Sequence, residues 1–250
     1  MRDPVVEYSL RLADNCVILG QRLSEWCGHG PTLEEDIALS NIALDLIGQA
    51  RMLYAYAAER EGEDRDEDQL AFLRDCREFR NILLVEQPNG DFGRTIMRQL
   101  LFSAFMHPFW QAMTGSRDET LAAIAAKAEK EMAYHLRHSA EWVIRLGDGT
   151  DESHRRCRNA LEELWDYTGE LFETDAIENA LIGNGVAVDP ASLREQWQKT
   201  VENVLAQATL TCPADGYMQT GGRQGLHSEH LGHILSEMQF LQRAYPGGTW

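Results

Sequence analysis

Between residues 5 and 26 the apolar side chains Leu10, Val17, Leu19, Leu23 and Trp26 recur at mostly helical intervals, and Gly28-His-Gly-Pro31 ends the run. Thr32-Leu-Glu-Glu35 then has the form of a capping box. The helix it opens reaches to about Glu59 and carries Ile42, Leu46 and Leu53 beside a polar row of Asn41, Asp45 and Gln49. Residues 61–68 are a charged, solvated connection. The spacing predicts a third helix over 69–86, stopped by Pro88-Asn-Gly-Asp91. A fourth covers 92–113, capped by Asp91 and bent or broken near Pro108. Ser116-Arg-Asp-Glu119 reads as a second capping box, opening a long helix that stops at Gly147-Asp-Gly149. A sixth helix over 152–172 follows, then a short turn of helix over 175–181 and a helix started by Asp189-Pro190 that runs to about residue 210. Residues 211–225 make the longest loop, and 226–245 the last helix. No segment reads as a strand, so the expected fold class is all-α: a core of four long helices with others packed around it.

Composition changes this picture little. A chain of 250 residues with 44% hydrophobic content is long enough to bury a substantial core, and one body is the default expectation. The formal charge of −17 argues against broad electrostatic attraction to nucleic acid or an anionic membrane. The polar start Met1-Arg-Asp-Pro is unlike a signal peptide, and no apolar run reaches the length of a membrane span, so a cytoplasmic location is expected. Five cysteines without a Cys-x-x-Cys spacing read as reduced packing residues.

The candidate chemistry is a near miss. A carboxylate-bridged di-iron bundle takes one Glu from each of two helices and a Glu-x-x-His pair from each of two more. Here none of the eight histidines follows a glutamate by three positions. Two helices instead carry Glu131 with His135 and Glu229 with His233, at a spacing of four, and Asp45, Glu78 and Glu86 stand on the helices before them. Positions i+3 and i+4 both return to one helical face, so two readings stay open. In one, Asp45, Glu131, His135, Glu229 and His233 form a vestigial site, satisfying one another through buried hydrogen bonds and ion pairs without metal. In the other they hold iron, and the chain is a self-sufficient di-iron oxygenase. His227, His230 and His233 offer a further, zinc-like triplet. Gly221-Gly-Arg-Gln-Gly225 is either a flexible loop or a phosphate cradle at a helix start. Walker, dinucleotide, nucleophile-elbow and His-Glu-x-x-His signatures are absent.

Several strings taken together resemble the C subunits of the bacterial phenylacetyl-CoA epoxidases, components of multicomponent monooxygenases of aerobic phenylacetate degradation. They are LGQRLSEWCGHGP at 19–31, EDIALSNIALDLIGQAR at 35–51, LVEQPNGDF at 84–92, YHLR at 134–137, RLGDGT at 145–150 and the 221–243 stretch from Gly221 through LHSEHL to EMQFLQR. The resemblance runs from about residue 10 to the last. It implies one ferritin-like helical domain over residues 1–250 and a structural, non-catalytic subunit with no cofactor of its own. It also implies a tight hetero-oligomer with a homologous catalytic A subunit that carries the di-iron centre, and a reductase that supplies electrons. The family's substrate, phenylacetyl-CoA, is expected close by. The segment matching the family at 77–81 makes Glu78, Phe79, Arg80 and Asn81 candidates for substrate contact, with Arg80 meeting a phosphate and Phe79 stacking, and Asn179 and Ala180 are a second pair.

Overall fold

The computed structural model describes residues 3–248, and among them every regular element is helical. In chain order the α-helices are α1 (Pro4–Ser24), α2 (Leu33–Glu61), α3 (Glu67–Phe72), α4 (Leu83–Glu86), α5 (Phe92–Met113), α6 (Glu119–Gly147), α7 (Asp151–Trp165), α8 (Ala176–Gly183), α9 (Arg194–Gln207), α10 (Glu229–Met238) and α11 (Phe240–Ala244). The all-α expectation is met, and its four long helices are α1, α2, α5 and α6. They are distributed over two compact units, the first reaching to Pro88 and resuming at Gly221, the second spanning Asn89–Thr220.

In the first unit α1 and α2 pack along each other. Asp3 caps α1 by accepting from the Val5 amide, and Pro4 occupies the first turn, where a missing N–H costs nothing. As expected, Thr32 caps α2, its hydroxyl accepting from the Glu35 amide, and Gly62 closes the helix in a left-handed conformation. Leu39, Ile42, Leu46 and Leu53 of α2 are fully buried, as are Leu10, Ile18, Leu19 and Leu23 of α1. Gly20 lets the helices approach: an added Cβ would stand 3.2 Å from Ile47 and 3.3 Å from the Ala43 carbonyl.

In the second unit α5 and α6 form the other long pair, with α7 and α9 packed against them. Pro108 lies inside α5 without breaking it. The core is aromatic. Phe172 meets Phe105 edge-on with centroids 5.4 Å apart and Trp197 at 5.3 Å, and Trp165 lies 5.5 Å from Trp197. The Trp197 indole N–H donates to the Leu101 carbonyl at 3.0 Å.

Four expected elements are corrected. The cap of α6 is Asp118, which accepts from the Leu121 amide, while Ser116 holds the preceding turn by donating to the Val186 carbonyl. The sixth helix stops at Trp165 and only a 3-10 turn, Gly169–Phe172, follows. Asp189 does cap, but it opens the 3-10 turn Pro190–Leu193, and α9 begins after it. The third helix exists only as α3; residues 73–82 leave helical geometry for a 3-10 turn (Cys76–Glu78) and extended backbone before the single turn α4.

Replacing Trp197 with Ala should lower unfolding free energy by about 3–5 kcal/mol, because it empties the aromatic core of the second unit. Urea unfolding followed by circular dichroism checks this, and a loss within about 0.5 kcal/mol of zero would show that the cluster does not support the unit.

Candidate functional site

The irregular segment between α3 and α4 lies against α1, and its backbone polar groups are satisfied by buried side chains rather than by a helix. Asp14 of α1 accepts from the Arg80 amide at 2.7 Å, and Asn15 accepts from the Ile82 amide at 2.8 Å. Asp14 is also ion-paired with Arg74, both buried, and accepts from the Tyr54 hydroxyl. Arg74 further donates to the Tyr54 oxygen and to the Glu78 carbonyl, each at 3.1 Å, and its guanidinium lies 4.3 Å above the centre of the Phe79 ring. Burial and the Asp14 charge both push the Tyr54 phenol well above its ordinary pKa, so it stays a neutral donor. Burial alone would lower the Arg74 pKa, but Asp14 more than offsets this and holds it above the ordinary value.

A second buried ion pair sits where this segment enters α4. The side chains of Glu86 and His227 are 0% and 2% exposed and meet at 2.9 Å through Oε2 and Nδ1. The other ring nitrogen, Nε2, faces the Phe79 carbonyl at 3.0 Å. An acceptor on each nitrogen favours the doubly protonated ring, the imidazolium. Burial works against that charge, but the hydrogen bonds to Glu86 and to the Phe79 carbonyl outweigh it and raise the His227 pKa. Glu86 Oε1 accepts from the Ser228 amide at 2.7 Å, and Oε2 accepts from Asn81 Nδ2 at 3.0 Å. Arg22 of α1 donates twice to the Glu86 carbonyl.

This arrangement answers the Gly-rich loop. Gly222 packs so closely that an added Cβ would lie 2.1 Å from the Asn81 carbonyl, and Gly225, at φ 77°, approaches the Arg77 carbonyl to 2.5 Å in the same sense. The glycines are needed for contact with the segment before α4. The loop does not open directly into a helix either, since α10 starts at Glu229 and the anion at its start is the chain's own Glu86. The phosphate-cradle reading is therefore corrected.

The remaining candidates scatter. Phe79 is fully buried under Arg74, which corrects the expectation that it stacks on a ligand. Asn81 is buried and bonded to Glu86. Arg80 is engaged by Glu7 at 3.2 Å and by the carbonyls of Arg77 and Phe79. Glu78 is exposed, its carboxylate accepting from the Asp75 amide. Asn179 and Ala180 are exposed on α8, in the second unit. His135 is fully buried in α6, where Glu131 pairs with Lys127 at 3.4 Å. In the first unit Asp45 is partly exposed, and Glu229 and His233 of α10 are exposed. A buried network that includes Glu229 and His233 is thus not formed within the chain; the buried carboxylate–imidazole pair of the first unit is Glu86 with His227. The zinc-like triplet fails because His227 precedes α10, and both its nitrogens are committed. Among the described residues no three of His, Cys, Asp and Glu group so as to hold a metal ion.

None of the five cysteines is in a disulfide. Cys16 and Cys157 are buried packing residues, the latter pushed up to about 11 by burial, whereas Cys27 is exposed.

Sequence reasoning does not single out Asp14, Arg74 or the Glu86–His227 pair as a buried system. The available signal is a charge amid apolar neighbours, as Asp14 between Leu10 and Val17.

Two comparisons with known proteins bear on the site. A family model described as "Phenylacetic acid catabolic protein" matches residues 1–250. The C subunit of the 1,2-phenylacetyl-CoA epoxidase of Escherichia coli (strain K12) is 54% identical over 243 residues, covering 97% of this chain and 98% of that protein.

Glu86→Ala should cost about 3–5 kcal/mol by stranding the buried imidazolium, measured by urea unfolding at neutral pH. The pH dependence has a definite sign. A raised folded-state pKa means that the His227 contribution is complete below the ordinary histidine value of 6.5 and is lost as pH rises through the folded value. Unfolding midpoints from about pH 6 to about pH 9 should fall more steeply for the parent chain than for His227→Gln. Parallel curves would show that the ring is not charged in the fold.

Proposed function

Because the chain belongs to the phenylacetic acid catabolic protein family, which it matches over residues 1–250, we propose that it is the structural, non-catalytic subunit of a multicomponent phenylacetyl-CoA epoxidase. The observation that carries this reading is the 54% identity to the C subunit of the Escherichia coli enzyme along 97% of the chain. On this reading its partner is a homologous A subunit that carries the di-iron centre, a reductase supplies the electrons, and this chain has no cofactor of its own.

The arrangement of the side chains supports the assignment. A self-sufficient di-iron oxygenase would need Glu131, His135, Glu229 and His233 as ligands, yet Glu229 and His233 face solvent. With two of the four in solvent, these residues do not fit a metal pair. The carboxylate that is buried beside a histidine, Glu86, is already satisfied by protein donors. On this reading the candidates for contact with the acyl-CoA thioester that remain accessible are Glu78, the partly exposed Arg80, Asn179 and Ala180. The complex would work in the cytoplasm. No helix among the described residues is long and apolar enough to cross a membrane.

Expression of the chain alone and together with the A subunit, followed by metal analysis per polypeptide, tests the proposal. The expected outcome is no stoichiometric iron in the isolated chain, and about two irons per A subunit in a co-purified complex. About two irons in the isolated chain would establish the self-sufficient oxygenase instead.

A further inference from the structure

Helix α2 is apolar on two opposite faces. At 100° per residue, Leu39, Ile42, Leu46 and Leu53 cluster on one side and are fully buried. Leu33, Ile37, Leu44 and Ile47 fall within an arc of about 80° on the other side, with Ile47 at the edge that meets Gly20 of α1, and are 73%, 52%, 64% and 40% exposed. The second apolar stripe is more than the chain's own core uses, and a contiguous exposed stripe of this kind marks a surface that another protein covers. The outward set is also regular. Leu33, Ile37, Ser40, Leu44, Ile47 and Arg51 follow one another by four, three, four, three and four positions, the a/d spacing of a helix that packs lengthwise against another.

Charge decides what that other helix is. The accessible rim of the seam carries Glu34 and Asn41, with Asp45 partly exposed beside them, and the cation Arg51 at its end stands 3.4 Å from Glu67. A second copy would bring the same acidic rim and another formal charge of −17. The complementary surface is an apolar helical seam flanked by Lys or Arg.

We infer that the outward seam of α2 is the docking face for a helix of the oxygenase partner, an amphipathic helix with 3.5-residue apolar spacing and a basic flank. This rests on the function proposed above and specifies where the partner sits. Helices of this spacing pack at a crossing angle of about 20°, and Leu44 is at the middle of the seam, where an anchor residue excludes water best.

The test measures binding of the full-length chain to the purified A subunit by isothermal titration calorimetry. Leu44→Asp should weaken the complex about 30-fold or more; Leu44→Asn, which adds no charge, is the milder second variant should the first disturb folding. Glu34→Lys should weaken binding at low ionic strength and flatten its salt dependence. The three variants should keep the parent's circular dichroism and melting temperature, since the altered side chains are at the surface. If the parent chain binds the A subunit and all three variants bind equally well, this inference is overturned while the function stands. If the parent chain does not bind the A subunit at all, the function falls and the inference with it. A parent chain that dimerises alone at micromolar concentration, and is split by Leu44→Asp, would assign the seam to a second copy and overturn the choice of partner.

Discussion

A buried carboxylate has to be answered by donors, and in this chain that requirement organises the first unit. Two acids there lie out of water, Asp14 and Glu86, and each is met from several directions. Asp14 takes Arg74, Tyr54 and the Arg80 amide; Glu86 takes His227, Asn81 and the Ser228 amide. Apart from Tyr54 of α2, the donors come from the segment before α4 and from the loop before α10, so pairing two charges also fixes two stretches that have no long helix of their own. An unpaired ion there would cost several kcal/mol, more than any local backbone preference. The glycines at 222 and 225 are the steric counterpart, since they let two backbones come close enough for the carboxylate to reach both.

That hierarchy explains which elements were legible in the sequence. The starts of α2 and α5 follow local rules: an acceptor side chain before a helical run captures a free amide, as Thr32 and Asp91 do. The long apolar periodicities gave the four main helices for the same reason. The third expected helix was not legible, because nothing within 69–86 announces that Asp14 and Asn15, some sixty residues earlier, supply its amides with partners. Gln239 ends α10 in the same way, its side chain donating to the Ala71 and Arg74 carbonyls. Tertiary hydrogen bonds replaced helical ones, and spacing cannot record them.

The candidate site was legible in its ingredients and not in its pairing. Glutamate and histidine at i and i+4 share a helical face, which brought Glu229 and His233 forward. The face they share is the exposed one, since Leu231, Ile234 and Leu235 hold the buried side of α10. Sequence spacing places His227 only in the zinc-like triplet, because it predicts the last helix from residue 226; the residue lies just before α10, where helical spacing says nothing about direction. It is the histidine with the strongest claim on a buried acid. Phe79 misleads in the opposite way: an aromatic next to an arginine suggests a stacking platform, but its partner is Arg74, five residues earlier, and the stack is internal.

The interior and the exterior of α2 bear on the proposed role together. A catalytic metal site leaves buried ligands with unspent lone pairs, whereas the buried acids of the first unit are spent on protein donors, and what α2 leaves unspent is apolar surface. Surface of that kind stabilises nothing until another protein covers it, because its free energy is released only when water leaves. A chain whose buried acids Asp14 and Glu86 are met by its own donors and whose long helix is apolar outward would, in the proposed role, contribute by being covered. In the structural role proposed for this chain, the seam of α2, rather than a pocket, is the surface that the partner would cover.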